Sequence, residues 1–189
     1  MKPLPMLLAA FGLLTGCASP TIETSISKWR EDIVVKHDPY VDRTTLHGDV
    51  MLLRGDEVND GWRSLYADIS DPNNPAIFFV IRTHERRWQW WSRAVDAQQR
   101  ELPFSTREDI SEATGWAAES ISLPVTVAYL REAIERGRIE LRLYGRQGHA
   151  DFTLGGLYIA AFLEEMEAQG VDIGGPLTTA HATYFAGAE

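Results

Sequence analysis

The clearest hydrophobic pattern in the chain is a strict alternation over residues 138–144. Apolar and charged residues take turns there, in the order Arg138, Ile139, Glu140, Leu141, Arg142 and Leu143. Because successive side chains of a β-strand point to opposite faces, this pattern predicts a strand with one buried and one exposed face. The Gly-rich stretch 145–148 predicts a turn, which leads into a second strand over 149–154.

Further strands are predicted by alternation, or by short apolar runs that lie between turn residues. They are expected at 33–37, 49–54, 62–70, 76–81, 86–95, 100–104 and 117–123. The continuous apolar run of 76–81 is typical of a central strand that is covered on both faces. The Pro- and Asn-rich turn 71–75 predicts a hairpin between 62–70 and 76–81. Residues 106–115 are expected to be irregular or briefly helical.

Two segments have apolar residues at helical spacing. The first, about 125–136, follows Pro124 and ends before Gly137, and the second, about 156–169, ends before Gly170. No repeat and no regular alternation of strands with helices is present. The predicted fold class is therefore α+β, a mainly antiparallel β-sheet or sandwich with these two covering helices.

The N-terminal 16 residues have the pattern of a secretory signal. Lys2 precedes the apolar run Leu7–Leu14, which is too short for a transmembrane helix, since that needs about 20 apolar residues. The run ends in Leu14-Thr15-Gly16-Cys17, and Cys17 is the single cysteine of the sequence. These four residues resemble the lipobox of bacterial lipoproteins. The order of elements in the remaining chain is also similar to that of uncharacterised proteobacterial lipoproteins, in which no functional residue is defined.

The resemblance implies that Cys17 is lipidated and becomes the first residue of the mature chain after residues 1–16 are removed. Each buried methylene of an acyl chain contributes about 0.8 kcal/mol, so two or three chains would hold the protein on a membrane. Ala18, rather than Asp, follows the cysteine, which implies the periplasmic face of the outer membrane, with the inner membrane as the alternative. We expect 17–27 to be the lipidated cysteine and its tether, 28–170 a single globular domain and 171–189 a flexible tail.

Charge and cysteine content narrow the possible partners. The formal net charge is −9, and cleavage would also remove Lys2. An acidic surface argues against nucleic acid as a partner and against electrostatic attraction to anionic lipid. Membrane attachment would therefore depend on the lipid at Cys17. Lipidation would also leave no thiol for a disulfide, a nucleophile or a metal site.

The most unusual local composition is three tryptophans among arginines: Arg86, Arg87, Trp88, Trp90, Trp91 and Arg93. Aromatic faces can stack on sugars while arginines hold polar groups, so Trp88, Trp90, Trp91 and Arg93 are candidates for a glycan platform. The alternative is a strand packed on both faces, with guanidinium groups stacked on indoles at its rim. We favour the second interpretation, because large aromatic side chains most often serve cores.

No motif indicates a metal, a cofactor or a catalytic group, and we assign none. His37, His84 and His149 each lie near a carboxylate in sequence, but HExxH spacing is absent and adjacent strand residues point to opposite faces. Neither GxSxG nor a Walker A or GxGxxG motif is present. The stretch 145–148 is better explained as a hairpin turn than as a phosphate loop.

Two hypotheses follow from these observations. The first is a membrane-anchored periplasmic lipoprotein that acts as a non-enzymatic binding or accessory module of the cell envelope, with a possible envelope protein as partner. The second is a cell-envelope glycan-binding protein or glycan-processing enzyme that uses the 88–91 face, with two carboxyls about 5–10 Å apart if it cleaves glycosides. We favour the first, because no catalytic motif is present.

Overall fold

Two antiparallel sheets and three helices make up the described part of the chain. A computed structural model describes residues 22–53, 60–85, 87–111 and 116–177. The helices are α1 (Ile22–Glu31), α2 (Val127–Arg136) and α3 (Gly156–Ala168). The strands are β1 (Val34–Asp38), β2 (Arg43–His47), β3 (Met51–Leu52), β4 (Asp60–Asp68), β5 (Ala76–Glu85), β6 (Arg93–Asp96), β7 (Glu101–Leu102), β8 (Ser105–Ser111), β9 (Trp116–Val125), β10 (Arg138–Gly145) and β11 (Gly148–Gly155). The α+β, sheet-rich fold class is confirmed.

The strands divide between a large and a small sheet. The large sheet has the order β1-β2-β4-β5-β9-β8, with β3 also paired to β4, and the small sheet has the order β11-β10-β6-β7. The predicted hairpins are confirmed, since β4 pairs antiparallel with β5 and β10 pairs antiparallel with β11. The chain therefore passes from the large sheet to the small one between β5 and β6, and it returns after β7.

Helix α3 lies at the centre of the hydrophobic core. Most of its residues are buried, and it contacts α1, α2, β10 and β11. Tyr158 is 1% exposed, and its hydroxyl accepts the Leu65 N–H at 3.1 Å and donates to the Asp49 carbonyl at 3.0 Å. Because a buried hydroxyl without partners is costly, these bonds fix α3 against the large sheet.

The two predicted helices are present with slightly shorter bounds. Helix α2 begins at Val127 because Val125 still belongs to β9, and Thr126 caps it by accepting the Tyr129 N–H at 3.1 Å. It ends at Gly137, whose φ of 89° is the left-handed conformation that glycine adopts most readily. Helix α3 ends one residue earlier than expected.

The predicted tether 17–27 is wrong over its second half. Residues from Ile22 onward belong to helix α1, Ile26 is 5% exposed and Trp29 packs edge-on against Tyr158 at 5.5 Å. The Ser- and Thr-rich composition indicates a linker, whereas Ile26 and Trp29 are three residues apart on the helix and both pack on the core. Cys17 and the rest of 1–21 lie outside the described residues.

Three further expectations need correction. Residues 105–111 form β8, a polar edge strand that pairs along β9, instead of an irregular or helical segment. The predicted strand 86–95 begins only at Arg93. Strand β5 alternates between buried and half-buried residues, so it is central but fully covered on one face only.

The predicted flexible tail 171–189 starts with residues that belong to the core. Val171 is 2% exposed and Ile173 is 1% exposed, and the Arg131 guanidinium donates to the carbonyls of Ile173 and Gly175. The Gly-rich composition of this segment predicted a flexible tail, although Val171 and Ile173 are buried. Residues 178–189 lie outside the described residues.

Within the described ranges, none of the helices has the length and apolar character that crossing a membrane requires.

Candidate functional site

The candidate site is built around residues 87–92, which we call the tryptophan loop. This irregular segment carries the chain from β5 of the large sheet to β6 of the small sheet. A segment between two sheets leaves backbone N–H groups without ladder partners, and buried N–H groups must find other acceptors. The Glu119 carboxylate and the Tyr144 carbonyl supply them.

A buried carboxylate on β9 holds the middle of the tryptophan loop. Glu119 is 2% exposed, and its two carboxylate oxygens accept the N–H groups of Gln89 at 2.6 Å and Trp90 at 3.0 Å. Trp90 has a φ of 52°, a left-handed conformation that is uncommon for a bulky residue. The hydrogen bonds to Glu119 stabilise the loop in that conformation, in which the Trp90 side chain lies at the surface.

The turn between β10 and β11 holds the other side of the loop. The Arg146 N–H donates to the Gln89 carbonyl at 2.7 Å, and the Ser92 N–H donates to the Tyr144 carbonyl at 2.8 Å. Gly145 permits this contact, since a Cβ there would lie 2.5 Å from the Gln89 oxygen. The loop is thus fixed from two sides by main-chain and carboxylate hydrogen bonds.

The three tryptophans have different surroundings. Trp91 is 8% exposed and packs edge-on against Phe152 at 6.5 Å, so it serves the core as the favoured interpretation expected. Trp90 is 41% exposed, and Trp88 is half-buried beside it with ring centroids 5.7 Å apart. The interpretation as a strand packed on both faces therefore does not describe Trp88 and Trp90.

Stacked cations and aromatic rings occur on the tryptophan loop, on β6 and on the β10–β11 hairpin that the loop contacts. The guanidinium carbon of Arg146 lies 5.3 Å from the centre of the Trp90 ring. Arg93 lies 5.6 Å from the Tyr144 ring, and Tyr144 lies 6.1 Å from the His149 ring. Exposed arginines stack on aromatic faces in this way. We call these six side chains the aromatic patch: Trp88, Trp90, Arg93, Tyr144, Arg146 and His149.

A groove continues from the aromatic patch across the small sheet. It encloses a cavity of about 340 Å³ and shares Tyr144 with the patch. Its polar lining includes Gln99, Glu140, Arg142, Asp151 and Thr153. The volume is at the lower end of the range that is usual for ligand pockets, about 300–1,000 Å³.

The carboxylates of this groove are engaged by arginines. Arg142 forms a two-pronged ion pair with Asp151, with both N···O distances 2.6 Å. The hydrogen bond from Arg142 lowers the pKa of Asp151, so this carboxyl is ionised at neutral pH. Glu140 pairs with Arg138 at 2.6 Å. The groove presents anions that are already paired, together with hydroxyl and amide groups.

The electrostatics of Glu119 differ from those of the groove. Burial raises the pKa of Glu119, the N–H groups of the tryptophan loop oppose that rise, and Glu108, its register partner on β8, adds to it. No arginine, lysine or histidine is among the causes of the shift. Among the residues that the structure describes, the carboxylate is therefore held by backbone N–H groups and not by a cation, which is a costly arrangement for a buried charge.

The predicted histidine and carboxylate neighbours do not converge. His37 bonds to Thr44 at 3.0 Å, and His84 Nε2 accepts from Arg82 at 3.1 Å. Across the ranges that the structure covers, no group of three or more His, Cys, Asp or Glu side chains could hold a metal ion. His149 instead belongs to the aromatic patch.

Sequence reasoning missed Glu119, Tyr144, Arg146 and His149 as site residues. Tyr144 and His149 flank the predicted turn and are register partners, which the hairpin prediction already implied. Glu119 is a charged residue in register with Ala117, Ile121 and Leu123 on the face of β9 that alternation predicts to be buried, and that pattern could have marked it. The left-handed conformation at Trp90 gives no signal in the sequence.

A scan against protein-family models, a search of curated proteins and a search of solved structures each gave no match to this chain. The function proposed for it therefore depends on its own sequence and geometry.

Proposed function

We propose that this chain is a membrane-anchored periplasmic lipoprotein and a non-enzymatic binding module of the cell envelope. The lipid on Cys17 would hold it at the periplasmic face of the outer membrane, with the inner membrane as the alternative. Its binding surface is the aromatic patch. The observation that carries the proposal is the exposed indole of Trp90, which a buried carboxylate and a close glycine turn hold at the surface.

The proposed tether would be short. Only residues 18–21 separate Cys17 from the start of α1 at Ile22, and an extended chain spans at most about 3.5 Å per residue. Helix α1 is fixed to α3, because Arg30 bonds to Glu165 at 2.9 Å and Trp29 packs on Tyr158. A lipid on Cys17 would therefore keep the folded domain close to the bilayer surface.

The chemistry of the site supports binding over hydrolysis. A glycosidase requires one protonated and one ionised carboxyl across the scissile bond. In the groove, Asp151 is ionised beside Arg142, and Glu140 is paired with Arg138. Glu119 has a raised pKa, but both of its oxygens are occupied by the N–H groups of the tryptophan loop.

The anchor is tested by metabolic labelling with an alkyne analogue of palmitate, followed by membrane fractionation. We expect label on the full-length protein in the membrane fraction, and neither label nor membrane retention in Cys17→Ser. A wild-type protein that is unlabelled and recovered in the soluble fraction would contradict the proposal. Ala18→Asp serves as the matched variant, since it keeps the cysteine and should retain the label.

The binding surface is tested separately by in-cell crosslinking at the aromatic patch. A photoreactive group at His149 should capture an envelope component in the wild-type background and lose it in Trp90→Ala. The same group at Tyr40, which is 95% exposed on the β1–β2 turn, serves as the control position. Equal capture at both positions would remove the assignment of the patch.

A further inference from the structure

We infer that the aromatic patch and the adjoining groove bind a glycan strand whose amino sugars carry carboxylates, as in peptide-free strands of peptidoglycan. This inference rests on the proposed function, since it names the ligand of the same surface. It is carried by three features: exposed indoles in polar surroundings, a concentration of arginines on an acidic protein, and a polar groove that continues from the rings.

The indoles suit sugar rings better than an apolar protein surface. Trp90 and Trp88 lie 5.7 Å apart with a tilt of 41°, so together they present a bent aromatic surface. In the same patch, Arg146 stacks on Trp90, and Arg93 and His149 lie against the Tyr144 ring. Sugars offer C–H faces for stacking and hydroxyl groups for hydrogen bonds, which matches rings rimmed by polar groups.

The charge of the patch favours an anionic sugar. The chain carries a net charge of −9, yet Arg93 and Arg146 lie in the patch and the exposed Arg87 belongs to the tryptophan loop. Glu101 lies 3.4 Å from Arg93, and its side chain is 68% exposed, so a ligand carboxylate can replace it at little cost. Arginine is suited to this role because its planar fork binds carboxylates with two hydrogen bonds.

The groove extends the surface beyond one sugar ring. It begins at Tyr144, which belongs to the patch, and it is lined by Gln99, Glu140 and Thr153 among other polar groups. Amide, carboxylate and hydroxyl groups of this kind bond to sugar hydroxyls and acetamido groups. A strand with one ring stacked at Trp90 would continue across Tyr144 into the groove.

The surface is also preformed. The tryptophan loop is fixed by Glu119 and by the Gly145 contact before any ligand arrives. Binding therefore needs little ordering of the loop, which lowers the entropic cost for a flexible polysaccharide. In this account Glu119 is a positioning residue, because it acts through Trp90 and does not touch the ligand.

The test measures binding of two glycans to full-length protein in detergent by isothermal titration calorimetry. The first glycan is a peptide-free strand from peptidoglycan, and the second is chitohexaose, a matched acetylated amino-sugar oligomer without carboxylates. We expect the strand to bind at least about tenfold more tightly than chitohexaose, and less tightly at high salt. Absence of strand binding would overturn the inference, and equal affinity for both glycans would overturn the carboxylate requirement.

Variants locate the binding surface. Trp90→Ala and Arg146→Gln should each weaken strand binding by about tenfold or more, with unchanged thermal unfolding. Tyr40→Ala and Arg107→Gln remove an exposed aromatic ring and an exposed arginine elsewhere, and they should change the affinity by less than about twofold. Strand binding that persists in Trp90→Ala would overturn the assignment.

The failures of the two proposals are distinguishable. Strand binding by a protein that takes up no palmitate would remove the lipid anchor and leave the glycan inference intact. Palmitate labelling with no strand binding would remove the glycan inference and leave the lipid anchor intact.

Discussion

Asp96 and Glu119 are both 2% exposed carboxylates that hold a change of chain direction, yet their surroundings differ. Asp96 ends β6, accepts the N–H groups of Gln98 and Arg100 at 2.9 Å each, and pairs with the Arg100 guanidinium at 2.7 Å. Glu119 accepts N–H groups of the tryptophan loop, and its register partner on β8 is another carboxylate, Glu108. The charge of Asp96 is balanced by Arg100, and its hydrogen bonds stabilise the turn after β6. Glu119 has no cation beside its buried carboxylate among the described residues, and burial raises its pKa, as is frequent for carboxyl groups at functional sites.

The largest difference in the free energy of unfolding should appear between Asp96→Asn and Glu119→Gln, in which each carboxylate is replaced by its amide. Asp96→Asn removes the charge that Arg100 faces and turns an amide N–H₂ toward another donor, so we expect a loss of about 2 kcal/mol in the free energy of unfolding. The exposure of the Arg100 side chain, 42%, keeps the loss below that of a fully buried pair. Urea denaturation at pH 7 measures it. A loss below about 0.5 kcal/mol would mean that the Asp96 carboxylate does not stabilise the fold.

A smaller effect is expected at the glycine that lets the turn approach the loop. Gly145→Ala places a Cβ 2.5 Å from the Gln89 carbonyl oxygen and 3.1 Å from the Trp91 ring, so we expect a loss of about 1–2 kcal/mol. Gly155→Ala is the matched control on the same hairpin, because a Cβ there meets no atom within 4 Å. Thermal unfolding compares the two. Equal midpoints would show that the loop yields easily and is not rigidly held.

Much of this fold follows from local sequence patterns, whereas the site does not. The alternation at 138–144 predicts its strand because one face of that strand is fully buried. Strand β8 was missed because its exposed, polar residues pair through the main chain, which leaves no hydrophobic signal. Helix α1 was missed because its few apolar residues stand among Ser and Thr, which made the segment resemble a tether.

For the site, sequence composition identified the tryptophans. It did not show that Trp91 lies in the core whereas Trp90 lies at the surface. That separation depends on the left-handed backbone at Trp90 and on Glu119, which lies 29 residues away in the chain. Contacts between distant residues have no local pattern, so only the three-dimensional structure shows that Tyr144, Arg146 and His149 join the same surface.

The smallest expected effect concerns pH. Burial and Glu108 raise the pKa of Glu119 above its ordinary value of 4.5, so the folded state binds this proton more tightly than the unfolded state. Wild-type stability relative to Glu119→Gln should therefore increase as the pH falls from 7 to 5. Asp68 and Asp151 have lowered pKa values, and the stability that they contribute is lost only at lower pH.

Urea denaturation of both proteins at several pH values measures that difference. Glu119→Ala is a useful companion, since it also lacks the titrating group and should show the same pH dependence relative to wild type. A relative stability of wild type that falls between pH 7 and 5 would contradict the raised pKa.

We infer that Glu119 is kept as a buried carboxylate because it presents Trp90 to a ligand. The most direct test is the affinity of Glu119→Gln for the peptide-free peptidoglycan strand, measured at pH 7 beside its free energy of unfolding. One amide oxygen cannot serve both loop N–H groups, so we predict binding at least about tenfold weaker. Removal of the buried charge offsets the lost hydrogen bond, so the free energy of unfolding should stay within about 1 kcal/mol of wild type. An affinity equal to that of the wild type would contradict the claim.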